Sequence, residues 1–231
     1  MLVNIKKSIP NILTLANLFC GLMVVVYAAQ FQFNSILYWA AAALLFDFLD
    51  GTAARILNVS SEMGKELDSL ADVVSFGVAP TLVLFYYWQS VFNDSIVFYA
   101  PFAIALFAAF RLAKFNSAGQ NNDYFKGLPT PALALGCFVL PQVEGSFLWA
   151  NSAINNIYFV VIFSLIGGFM LVSNLKFFSL KLGSKNKKLN VVRATFLTTC
   201  ILLIVWLHFF GAFLCLLAYI GFSLSFQNRI K

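Results

Sequence analysis

Within residues 47–72, DFLDGTAARILNVSSEMGKELDSLAD, two pairs of aspartates stand at helical spacing. Asp47 and Asp50 are three apart, and Asp68 and Asp72 are four apart. On helices, each pair shares one face. The connection between them is short, so the two helices are expected to be antiparallel neighbours. Their acid faces then meet at similar depth. Four carboxylates that close together repel strongly in a low dielectric unless cations lie between them. An all-oxygen donor set suits a hard divalent ion, Mg²⁺ or Mn²⁺, and no His or Cys stands nearby to favour zinc.

The residues between the pairs indicate what such an ion would hold. Gly51 allows a ligand to approach the backbone closely. Arg55 carries a guanidinium, which matches phosphate oxygens. Gly64 is expected in the loop before the second acid-bearing helix. Carboxylates, a divalent metal, an arginine and glycines together suit a phosphate or pyrophosphate substrate. Helix-dipole complementarity is the competing explanation for charges near helix ends. It can account for Asp68 but not for Asp47, which lies well inside its helix.

The elements that must position these groups are membrane helices. The chain is 61% hydrophobic and 10% charged, and 27 of its 231 residues are Phe; soluble domains have about 25% charged residues. Hydropathy predicts an all-α, polytopic transmembrane bundle of about eight spans: 11–30, 34–57, 67–90, 95–115, 130–147, 153–173, 192–208 and 211–226. With this count all fifteen Lys and Arg fall on one face, together with both termini, and that face is assigned to the cytoplasm. The net charge of +6 is therefore a topology signal, with attraction to anionic lipid secondary, and no soluble basic domain exists for nucleic-acid binding. No cleavable signal peptide is expected at the first apolar stretch. Cys20, Cys137, Cys200 and Cys215 read as small buried hydrophobes rather than as a disulfide or zinc set. Tyr86, Tyr87, Trp88 and Trp149 read as an interfacial aromatic belt, and His208 as an interfacial residue on the opposite face. An aspartate inside such a span costs roughly 2.5–3.5 kcal/mol, so Asp47 and Asp50 imply function.

The acidic stretch matches D-x-x-D-G-x-x-A-R, eight residues, then G-x-x-x-D-x-x-x-D without departure. It resembles the signature of the CDP-alcohol phosphatidyltransferases. That resemblance implies a membrane enzyme, commonly homodimeric, that moves a phosphatidyl group from a CDP-linked lipid to an alcohol and releases CMP. It implies that Asp47, Asp50, Asp68 and Asp72 hold one or two divalent ions. Asp50, Gly51, Ala54, Arg55 and Gly64 would contact the cytidine diphosphate, and Asp72 would be the general base. The opening PNILTLANLFCG resembles a family element near the nucleotide, which adds Asn11 and Thr14. DVVSFGVAP, FRLAKFN and FKGLPTPA resemble the serine-using branch, so the implied reaction joins CDP-diacylglycerol and L-serine to give phosphatidylserine and CMP. The resemblance makes residues 1–132 the catalytic half of a single membrane domain, 1–231, and residues 133–231 additional helices. The site would face the cytoplasm from the cell membrane.

The residue chemistry agrees with a serine acceptor. Serine carries a carboxylate, and Arg111 and Lys126 are candidate partners for it; positive-inside anchoring is the competing reading for Arg111 and Lys114. GLPTP is expected to enter span five in an extended form. A phosphorylated acceptor, glycerol phosphate or inositol phosphate, would call for a denser Arg and Lys pocket. A cation transporter is the alternative from another class, but it predicts acids at the midplane or in both halves of the chain.

Overall fold

A computed structural model describes residues 2–59, 61–92, 96–118, 124–144, 148–178 and 187–225. The predicted polar connections at 116–127 and 181–193 therefore lie partly outside the described residues. Helix α1 (Leu2–Ala29) turns through Phe31, in the left-handed region at φ 57°, into α2 (Phe33–Ile56). Their buried faces are narrow stripes, Pro10, Thr14, Asn17, Cys20, Gly21, Val24 and Ala28 on α1 against Ile36, Ala40, Ala43 and Asp50 on α2. Small residues on those stripes let the two backbones approach closely, the usual basis of helix association in lipid.

Helix α3 (Glu62–Asp72) continues through a π-helical turn (Val73–Val78) into α4 (Ala79–Val91), forming one span over Glu62–Val91. Pro80 lacks an N–H to return to the preceding turn, and the ladder widens where that bond is missing. The first turn of α3 begins earlier than expected. Ser61 caps it, accepting the Gly64 N–H at 3.0 Å, so Gly64 is helical rather than part of the loop.

Helix α5 (Phe102–Ala118) leads to β1 (Tyr124–Lys126), which pairs antiparallel with β2 (Lys176–Phe178). Between them run α6 (Thr130–Val139), α7 (Leu148–Ile154) and α8 (Ile157–Val172). GLPTP enters α6 as expected, with Pro129 extended at φ −59°, ψ 133° and Gly127 at φ +79°. Gly127 is required there twice over. A Cβ would overlap the Leu171 carbonyl, and only glycine adopts this φ without strain.

The final helical stretch, α9 (Lys187–Ser225), reverses at His208, whose backbone is at φ 49°, ψ −123°. Cys215 Sγ lies 3.8 Å from the Cys200 carbonyl, although a straight helix would separate residues fifteen apart by about 22 Å. Phe196 likewise meets Tyr219 and Phe222 across the two arms. The reversal falls at the last residue of the predicted segment 192–208, before the segment 211–226.

Among the described residues, five segments are long and apolar enough to cross a membrane: Ser8–Ala29, Phe33–Ile56, Glu62–Val91, Ile96–Phe115 and Asn190–Ser225. Two shorter apolar helices, Thr130–Val143 and Ile157–Val172, accompany them. Large apolar side chains such as Tyr38, Leu106, Phe169 and Trp206 stand outward on these helices. That outer surface is one for lipid, and the chain is an integral membrane protein.

The expected aromatic belt is corrected in part. Tyr87 and Trp88 are completely buried, Tyr87 donating to Asn155 Oδ1 and Trp88 Nε1 to the Ile154 carbonyl. Both are core residues, because Ile154 and Asn155 at the end of α7 accept from their polar ends, while Phe33 of α2 and Phe159 and Phe163 of α8 pack against their rings. Trp149 is exposed, as a belt residue would be.

Candidate active site

Three contacts set the register of the helices around the acids. Thr14 Oγ1 of α1 lies 2.7 Å from Asp50 Oδ2 of α2. Asn11 on α1 lies beside Gly64 on α3. Deeper along the same pair, Ser75 Oγ donates to the Asn17 carbonyl at 3.1 Å, and Gly21 leaves room for Ser75 to come close. Helix α1 is thus parallel to α3 and antiparallel to α2. At 1.5 Å rise per residue, Asp50 and Asp68 share the level of Thr14, while Asp47 and Asp72 lie one turn deeper, at the level of Asn17.

Asp47, Asp50 and Asp68 each offer a carboxylate oxygen, and these oxygens all lie within 4.8 Å of one another. Asp72 sits within hydrogen-bonding contact of Asp47, so all four predicted acids converge. Asp72 Oδ1 is buried with no hydrogen-bond partner. An unpaired carboxylate oxygen beside three others fits a hard divalent cation, which supplies the positive charge that the cluster lacks.

Around the acids, Gly51 faces open space where any Cβ would project. Arg55 is exposed and donates from Nε to the Gly51 carbonyl at 2.9 Å, at the end of α2. Ala54 lies half-buried on the same final turns. These residues and Asn11 border the shallower tier of acids.

Arg111 comes from α5 and is buried. It donates to Thr130 Oγ1 at 2.6 Å, lies over the Phe115 ring at 5.8 Å, and leaves its Nε without a partner. Asp72 and Tyr219 are within electrostatic reach of it. The buried arginine thus lies within electrostatic range of Asp72, an acid of the deeper tier. Lys126 is exposed on β1, directly opposite Lys176 on β2, and Lys114 is exposed on α5; neither shares the burial of Arg111.

Sequence reasoning missed three participants. Thr130 positions Arg111 from within the quoted FKGLPTPA. Tyr219 reaches the same region from the second arm of α9, donating to the Phe178 carbonyl at 2.8 Å; only the reversal at His208 brings it there. Asn17 was legible as a polar residue one turn beyond Thr14 in an apolar span.

The family model for CDP-alcohol phosphatidyltransferase matches residues 7–157, which include the four acids, Asn11, Thr14, Arg55, Arg111 and Thr130. The chain belongs to the CDP-alcohol phosphatidyltransferase family. It is similar to a CDP-diacylglycerol–serine O-phosphatidyltransferase of Helicobacter pylori, with 34% identity over 203 residues covering 86% of this chain and 83% of that protein. It is also similar to enzymes of the same name from Bacillus subtilis and Saccharomyces cerevisiae. The first is 31% identical over 66% of this chain and 86% of its own length, and the second 40% identical over 54% and 51%. In family terms, the convergent acids are the paired D-x-x-D and D-x-x-x-D of the signature, brought together by the α1–α2–α3 packing.

Proposed function

We propose that this protein is a CDP-diacylglycerol–serine O-phosphatidyltransferase. Its reaction joins CDP-diacylglycerol and L-serine to give phosphatidylserine and CMP. The observation that carries the reading is the convergence of four carboxylates beside a buried arginine, in a chain whose relatives bear that name. Asp47, Asp50, Asp68 and Asp72 would hold one or two Mg²⁺ or Mn²⁺ ions. When bound, such ions neutralise the diphosphate and stabilise CMP as a leaving group.

The chain's own residues do the remaining work. Thr14 holds Asp50 in place through the 2.7 Å hydrogen bond. Asn11, Gly51, Ala54, Arg55 and Gly64 border the nucleotide and its phosphates, with Arg55 offering its guanidinium to the oxygens that become the CMP phosphate. Asp72, held against Asp47, accepts the proton of the serine hydroxyl. The freed oxygen forms a bond to the phosphorus that bears diacylglycerol, and the bond from that phosphorus to the CMP oxygen breaks. Arg111, oriented by Thr130, receives the serine carboxylate. Lys126, exposed on β1, would attract the same anion from solvent.

The bundle crosses the cell membrane eight times in this reading: four long segments, the two shorter apolar helices and the two arms of α9. The acids face the cytoplasm, the side that also carries the Lys and Arg. Lipid substrate then enters from the leaflet and serine from water, and the homodimer implied by the family belongs to the same reading.

The test uses purified protein in detergent with CDP-diacylglycerol, Mn²⁺ and one alcohol at a time. CMP release and phosphatidylserine formation with serine are expected. Release with glycerol phosphate or inositol phosphate and none with serine would assign the protein to another branch of the family.

A further inference from the structure

Asn17 is completely buried, and neither its Oδ1 nor its Nδ2 has a hydrogen-bond partner. A buried amide normally finds partners for both ends, because burying it unpaired forfeits its hydration without return. Its position explains what it is kept for. It follows Thr14 on the buried stripe of α1, and its own carbonyl is fixed by Ser75, one turn beyond Asp72. The amide therefore lies at the level of Asp47 and Asp72, the deeper tier of the acid cluster.

The other groups at that tier are one-sided. The carboxylates only accept hydrogen bonds when ionised, and Arg111 only donates. An amide offers a donor and an acceptor together and adds no charge where four carboxylates already repel. A zwitterionic amino alcohol asks for that combination: its ammonium needs an acceptor and its carboxylate a donor.

We propose that Asn17 determines specificity for the acceptor, with Oδ1 accepting from the serine ammonium and Nδ2 donating to the carboxylate that Arg111 holds. This rests on the serine reading above and extends it to the amine.

Asn17→Leu keeps the branched four-atom shape of the side chain and removes both polar ends. The variant is expected to be at least as heat-stable as the wild type, since an unpaired buried amide is gone. Its KM for serine should rise about tenfold or more, while its KM for CDP-diacylglycerol stays within about twofold. As a competing ligand, 3-hydroxypropionate lacks the ammonium; the wild type should favour serine over it strongly, and Asn17→Leu should lose most of that preference. Unchanged serine KM in the folded variant overturns the proposal, and so does a parallel rise in both KM values, which marks a purely structural role. Should Asn17→Leu fail to accumulate, Asn17→Thr is read by the same split between the two substrates. A wild type inactive with serine refutes the serine reading itself; an active wild type with an unaltered Asn17→Leu refutes only the role of Asn17.

Discussion

Thr14 and Asp50 tie α1 to α2 through a hydrogen bond of 2.7 Å, made at the level where three carboxylates gather. The hydroxyl also lies 3.0 Å from the Pro10 carbonyl, so Asp50 competes for its proton with the backbone of its own helix. A bond to a charged acceptor is the stronger of the two. Thr14→Val keeps the shape and deletes the donor. Transfer activity should fall about ten- to a hundredfold, consistent with a lost bond worth about 1.5–3 kcal/mol, while the variant remains folded by thermal melting. Full activity would show that Asp50 is held by other contacts.

Chelation should abolish transfer, and Mg²⁺ or Mn²⁺ should restore it. Asp50→Asn and Asp68→Asn each remove one anionic ligand and should leave activity near background at ordinary metal concentrations. Because each also relieves carboxylate repulsion, the metal-free variants should melt no lower than metal-free wild type. Retained turnover in excess EDTA would remove the metal from the site.

Arg111 and Arg55 should separate by substrate. Arg111→Ala is expected to raise the serine KM roughly ten- to two-hundredfold, the equivalent of one charge-assisted hydrogen bond, and to leave the lipid KM nearly unchanged. Arg55→Ala should instead weaken CDP-diacylglycerol and lower turnover, since its contact tightens as charge moves onto the leaving group. Thr130→Val should reproduce Arg111→Ala in milder form. Normal serine kinetics in Arg111→Ala would reduce this arginine to an anchor.

Orientation can be read by labelling single cysteines in a background without the four native ones. A cysteine at Lys126 should react with a membrane-impermeant reagent only from the cytoplasmic side, and one at Gln32 only from the other. Labelling of both from one side would refute the proposed orientation.

Gly127→Ala should destabilise the protein by more than the roughly 1–2 kcal/mol of a left-handed alanine, because its methyl group also meets the Leu171 carbonyl. A drop of several degrees in Tm checks it. Serine KM should rise in parallel, as the segment also places Thr130 against Arg111.

Much of this protein is determined by its sequence alone. Spacings of three and four residues put each acid pair on one helix face whatever the surroundings, and the apolar composition leaves the backbone no option in lipid but to satisfy its own hydrogen bonds as helices. The signature and the short turn between α2 and α3 are likewise local facts, and they indicated which residues would gather and what chemistry they suit. Only the tertiary structure decided which contacts hold the site. Burial of Arg111 against Thr130, the exposure of Lys114 and Lys126, and the covering of Tyr87 and Trp88 by α2 and α8 depend on pairings between segments far apart in the chain. No periodicity records such pairings. The arrival of Tyr219 beside Arg111 depends on a reversal at one residue, His208. The unpaired amide of Asn17 is the clearest case: its polarity is visible in the sequence, but its isolation arises only when α2, α3 and the π-helical turn close around it.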